Sequence, residues 1–158
     1  CFECNNLLFC NLMTRAWEQI VKENRKTLLD RWSSSVVAML PGGASHGSLV
    51  AAAIAEELGA LYDAVTDLSA QAAEPIMRIT RILAVQDIPP SRSLSLLFML
   101  RGLIEELPAG CDHPCRDRLE ELTLQAFDSY MKHRETICKI KFDEGRRKMH
   151  MALRRAEA

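Results

Sequence analysis

Little in this sequence favours turns, sheets or membranes. Seven glycines and six prolines in 158 residues are too few, and too clustered, for a chain dominated by turns or without a fold. No apolar run approaches the roughly 20 residues that span a bilayer, so an integral membrane protein is not expected. Neither charge is in excess: 20 Lys and Arg face 21 Asp and Glu, a net of −1. The chain as a whole therefore has no electrostatic case for nucleic acid. Strict apolar–polar alternation is missing and β-branched clusters are short, which leaves strands without a signal. What is present is a 48% apolar content, enough at this length for one domain with a real core. The expectation is an all-α fold.

Catalytic signatures are also missing. The sequence has no Gly-x-Gly-x-x-Gly, no phosphate-binding loop, no Gly-x-Ser-x-Gly and no His-Glu-x-x-His. The stretch Gly42-Gly43-Ala44-Ser45-His46-Gly47 can present N–H groups to an anion ahead of a helix, but its composition equally suits a plain helix-to-helix connection. A haem or di-iron bundle needs inward histidines with Glu-x-x-His pairs; His46, His113, His133 and His150 form none. Of the four, only His133 is placed to reach a core. Glu56-Glu57, Glu105-Glu106 and Glu120-Glu121 read as solvated helix faces. Neither an enzyme nor a cofactor is expected.

Residues 1–12 differ from the rest, being uncharged except for Glu3 and holding Cys1, Cys4 and Cys10. They lack the basic start and small-residue cleavage site of a secretory signal, so a cytoplasmic location is expected. Two readings stand: an extension ahead of a start at Met13, or an apolar arm that packs on the body or on a partner. The remaining cysteines are Cys111, Cys115 and Cys138. Cys138 sits in a helical pattern, where a thiol usually behaves as a small buried apolar group. Cys111, His113 and Cys115 are the one local set with metal-ligand character.

Helical spacing of apolar residues begins after Thr14, a candidate cap, with Trp17, Ile20, Val21, Leu28, Trp32, Val36 and Leu40. Ser33-Ser34-Ser35 offers a point of weakness, and Pro41-Gly42-Gly43 ends the run. A second helix, capped by Ser45 or Ser48, carries Leu49, Ala53, Ile54, Leu58, Leu61, Tyr62, Val65 and Leu68. A third begins at Pro75 and ends before Asp87-Ile88-Pro89-Pro90. A fourth, capped by Ser91 or Ser93 and rich in leucine, includes Phe98 and Leu103. The fifth starts near Asp112 and Pro114, with Leu119, Leu122, Ala126, Phe127, Tyr130, Ile137 and Ile140 facing inward. Run unbroken to Arg155, it is about 60 Å long and must outreach a small body. Residues 132–158 hold nine Lys or Arg and four Asp or Glu, giving a basic extension of net +5 on a body of net −6. As a membrane-surface helix its anchors Phe142, Met149, Met151 and Leu153 are thin.

Several stretches together resemble the RsbRD amino-terminal domain family. These are Arg31-Trp32 followed by Pro41-Gly42, then Ile79-Thr80-Arg81-Ile82-Leu83. Next come Ile88-Pro89-Pro90-Ser91-Arg92-Ser93-Leu94 and Phe98-Met99-Leu100-Arg101-Gly102-Leu103-Ile104. The resemblance covers residues 13–131, roughly. It implies a globin-like, haem-free, generally dimeric bundle of five to six helices that acts as the input module of stressosome co-antagonists and related bacterial sensors. In that family the last helix couples to a carboxy-terminal STAS domain. This sequence contains no such stretch, so phosphoswitch and kinase-binding roles are not carried over, and the expectation is either a stand-alone module or an output partner on a separate polypeptide.

The reading that results is a non-enzymatic signalling module, a homodimer or the partner of a separately encoded protein. Tyr130, Ile137, Ile140 and Phe142 are the expected apolar contacts, with Arg146, Arg147 and Lys148 at the rim. Two alternatives remain at this point. One is a metal- or redox-binding protein using Cys111, His113 and Cys115. The other is a globin relative with a small apolar ligand between the third, fourth and fifth helices, in a cavity lined by Phe98, Leu103 and Phe127.

Overall fold

The computed structural model describes residues 17, 19–41, 48–67, 72–108, 110 and 113–156. Every regular element among the described residues is helical. A helical lead-in over 19–23 precedes α1 (Arg25–Val37), α2 (Leu49–Thr66), α3 (Ala73–Val85), α4 (Pro90–Glu105) and α5 (His113–Ala156). The fold is all-α with a long carboxy-terminal helix, as the periodicity requires. The cysteines of residues 1–12, Met13, the cap Thr14 and the Gly42–Gly47 stretch lie outside the described residues. So do Ser45, Leu68, Cys111, Asp112 and the side chain of His113.

The first helix breaks earlier than its serines suggest. The chain turns at Asn24, whose side-chain amide donates to the Ile20 carbonyl at 2.9 Å and competes with helical continuation. Ser33 and Ser35 stay helical because their hydroxyls bond back to the Asp30 and Arg31 carbonyls. Ser48 caps α2 as read, accepting from the Ala51 N–H at 3.1 Å. Leu49, just inside that cap, faces solvent instead of the core. In α4 the N-cap is Pro89, with Pro90 in the first turn, where a missing N–H is harmless. Ser93 is consequently not a cap but a buried residue.

The turn between α3 and α4 sets the geometry of everything downstream. Asp87 adopts φ +59°, a left-handed conformation that most side chains avoid and that Gly, Asn and Asp tolerate best. It is held there by two closing bonds, Ile88 N–H to the Leu83 carbonyl and Asp87 N–H to the Ala84 carbonyl. That pairing is a Schellman ending.

Two buried aromatics tie the helices across the core. Trp32 is fully buried and donates Nε1–H to the Leu96 carbonyl at 2.8 Å, linking α1 to α4. Tyr62 donates its hydroxyl to the Val21 carbonyl at 3.0 Å. Burial pushes that phenol well above its ordinary range, so it stays a donor. At the surface, Arg31 on α1 grips Glu106 at the end of α4 with two bonds of 2.7 and 3.2 Å. Arg31 thereby holds the Glu106 carboxyl below the usual carboxylate range. A lowered folded-state pKa stabilises at neutral pH, and the contribution is lost as pH falls through the lowered value. The urea midpoint of the parent chain is therefore expected to exceed that of Glu106→Gln slightly at neutral pH, and the difference to vanish in acid.

Candidate functional site

The 44 residues of α5 span about 66 Å at 1.5 Å per residue. Its first half is a packing element. Cys115, Leu119, Leu122, Ala126 and Tyr130 are buried at spacings of four, three, four and four, which keeps them on one face against α3 and α4. From residue 131 to residue 156 no side chain is buried. The helix leaves the body at a defined place. There Tyr130 donates its hydroxyl to the Ile88 carbonyl, and Arg134 bonds the Ala84 carbonyl at 3.2 Å and the Asp87 carboxylate. Just upstream, Ser129 and Thr80 share a hydroxyl–hydroxyl bond of 2.8 Å. All of these reach α3 or the turn after it, so the α3–α4 turn is the last support of the long helix.

Beyond that support the helix is basic. Between Lys139 and Arg155, seven Lys or Arg accompany only Asp143 and Glu144. No ion pair is made by these side chains among the described residues. They are solvated charges.

The structure sorts the expected contact residues into different places. Tyr130 is a correction: it is 2% exposed and offers nothing to a partner, because it falls in step with Ala126 and its hydroxyl is used inside the body. Ile137 is half-buried, while Ile140 and Phe142 are exposed. Ile137 and Ile140 continue the line of the core-facing side chains, but Phe142 points to the other side of the helix. They do not form one patch. Arg146, Arg147 and Lys148 are all exposed, and as consecutive residues they fan around the axis by about 100° each.

Two other expectations change. Cys138 is exposed, whereas Cys115 is the thiol packed in the core. Cys115 lies on the buried face of α5, while Cys111 and the side chain of His113, its companions in the expected metal set, lie outside the described residues. Phe98 and Phe127 are 57% and 44% exposed. With only Leu103 of that trio buried, these three residues do not line a common cavity. His133 does reach inward, being half-buried, and its Nε2 has no hydrogen-bond partner among the described residues.

Sequence reading found Phe142, Met149 and Leu153 as apolar anchors on the far part of α5 but missed the continuation of that side onto the body. Leu124, Phe127, Met131, Phe142, Met149 and Leu153 are all exposed, from 39% to 71%. Their spacing of three, four and multiples of these was available as a signal. It was hidden by the stronger inward stripe, which uses the same period on the opposite face. Comparison with family models, with characterised proteins and with solved structures found no match to this chain.

Proposed function

We propose that this protein is a non-enzymatic regulatory input module acting by protein–protein contact through the projecting part of α5. The observation that carries this reading is the 26-residue helical stretch after Tyr130 that has no buried side chain. A helix that long, without a core of its own, is stable chiefly where something packs against it. Its exposed apolar side chains and solvated positive charges are what a partner surface uses. The likeness of residues 13–131 to RsbRD amino-terminal domains agrees with this role, and brings with it a globin-like arrangement, a bacterial stress-signalling context and a cytoplasmic setting. The contact is with a second copy or with a separately encoded output protein; nucleic acid is not the partner, because the extension lacks interleaved stacking aromatics.

No helix among the described residues is long and apolar enough to cross a membrane, so the contact is not built around a membrane span.

The test separates folding from association. Removing residues 137–158 keeps Tyr130 and Arg134 at their support and, among the described residues, takes away no buried side chain. The shortened chain is expected to keep its melting temperature within a degree or two (roughly the shift of a change well under 1 kcal/mol). It is expected to lose association, measured as solution mass and as capture of protein partners by the whole and shortened chains side by side. A shortened chain that keeps every association of the whole overturns the reading. So does a whole chain that associates with nothing.

A further inference from the structure

The exposed apolar side chains of α5 form a second stripe. At about 100° per residue, Leu124, Phe127, Met131, Phe142, Met149 and Leu153 fall within an arc of about 80°. The buried face of the same helix is centred about 140° away around the axis. Cys138 and Gly145 fill the intervening places on the stripe, and Glu135 is its one charged member. The stripe begins on the part of α5 that belongs to the body and continues without a break along the part that leaves it, roughly 43 Å in all. Its steps of 3, 4, 4, 3, 4, 3, 4 and 4 average close to the natural helical period, so two such stripes can meet with little supercoiling.

Charge along the helix is polarised. Residues 113–131 carry four acids and two arginines, a net of −2, while residues 138–156 carry seven Lys or Arg against two acids, a net of +5. A parallel pair would place the two +5 segments side by side. An antiparallel pair places each of them on the acidic half of the other copy. A register centred on the middle of the stripe satisfies both stripe and charge. With the two-fold axis near position 137, Leu124 meets Met149 of the second copy and Met131 meets Phe142 of the second copy. Asp128 and Arg146 lie along the same edge of the stripe, as do Glu135 and Lys139, and an antiparallel two-fold sets that edge against itself. Asp128 then faces Arg146, and Glu135 faces Lys139. None of these four makes an ion pair among the described residues of its own chain.

We infer that the outward stripe of α5 is a self-association surface on which two copies pair antiparallel, each extension lying along the body helix of the other. This rests on the reading of α5 as a contact element and adds its partner, face and direction. A lipid surface fits less well, because acids flank the first half of the stripe where anionic headgroups would require bases.

The experiment uses the full chain. Its solution mass is expected to be that of a dimer, and Phe142→Asp with Met149→Asp is expected to give a folded monomer whose melting temperature no longer depends on protein concentration. Arg146→Asp is expected to raise the dimer dissociation constant by about tenfold at low salt, since two symmetry-related pairs are lost. Adding Asp128→Arg in the same chain is expected to recover most of that loss, which only this register allows. In a Cys138→Ser background, mixed Leu124→Cys and Met149→Cys chains are expected to cross-link to each other on mild oxidation, as read by peptide mapping. Self-cross-linking of Leu124→Cys alone would show a parallel pair and overturn the inference, while leaving the contact role of α5 standing. A monomeric full chain overturns it as well, and tail-dependent capture of another protein then decides the functional reading separately. Binding of that monomer to phosphatidylserine vesicles would reassign the stripe to lipid.

Discussion

Tyr130→Ala is expected to destabilise the fold by about 3–5 kcal/mol, the range for truncating a large buried aromatic side chain. The side chain is 2% exposed, and it is the last residue of α5 that the body encloses. Its loss opens a cavity between α5 and the α3–α4 turn and also leaves the Ile88 carbonyl without its donor. Tyr130→Phe isolates the second effect, an unmade buried hydrogen bond worth about 1–3 kcal/mol. Urea denaturation of both variants separates packing from hydrogen bonding. If the alanine variant lost less than about 1 kcal/mol, Tyr130 would not be the point where the helix is fastened.

The other large effect is expected at Trp32. Trp32→Ala removes the largest fully buried side chain and its bond to the Leu96 carbonyl, again costing about 3–5 kcal/mol. Against a typical total of about 5–15 kcal/mol, that is enough to leave a substantial unfolded population on mild heating. Phe98→Ala is the natural control. It deletes an aromatic ring that is 57% exposed on α4, away from the α5 stripe, and thermal unfolding should show a loss below about 1 kcal/mol. A large loss at Phe98 would contradict its outward placement.

Helix content and the long last helix could be read from the spacing of residues such as Leu58, Leu61 and Leu119, because a helical face repeats wherever it is buried. The cap at Ser48 was equally legible, since a serine oxygen ahead of an apolar run has a definite donor to satisfy. Facing was less so. Phe98 and Phe127 are aromatic and fall near helical positions, yet both turn outward; hydrophobicity alone does not say which of two apolar stripes on one helix meets the body. The fate of Tyr130 depended on a carbonyl supplied by a turn 42 residues away in the chain, which no local pattern reveals. The end of the third helix was legible in Asp87-Ile88-Pro89-Pro90, but the engagement of the Asp87 carboxylate by Arg134 from α5 was not.

Because, among the described residues, the hydrogen bonds that tie α5 to the body past Ser129 all reach the short segment from Ala84 to Ile88, the 26 residues after Tyr130 behave mechanically as a lever arm about 39 Å long. A tilt of ~3° at that fulcrum swings its tip by ~2 Å, as large as the helix displacements that switch many regulatory interfaces. Any event in the body that nudges the α3–α4 turn is thus magnified at the far end, without rearrangement of the core.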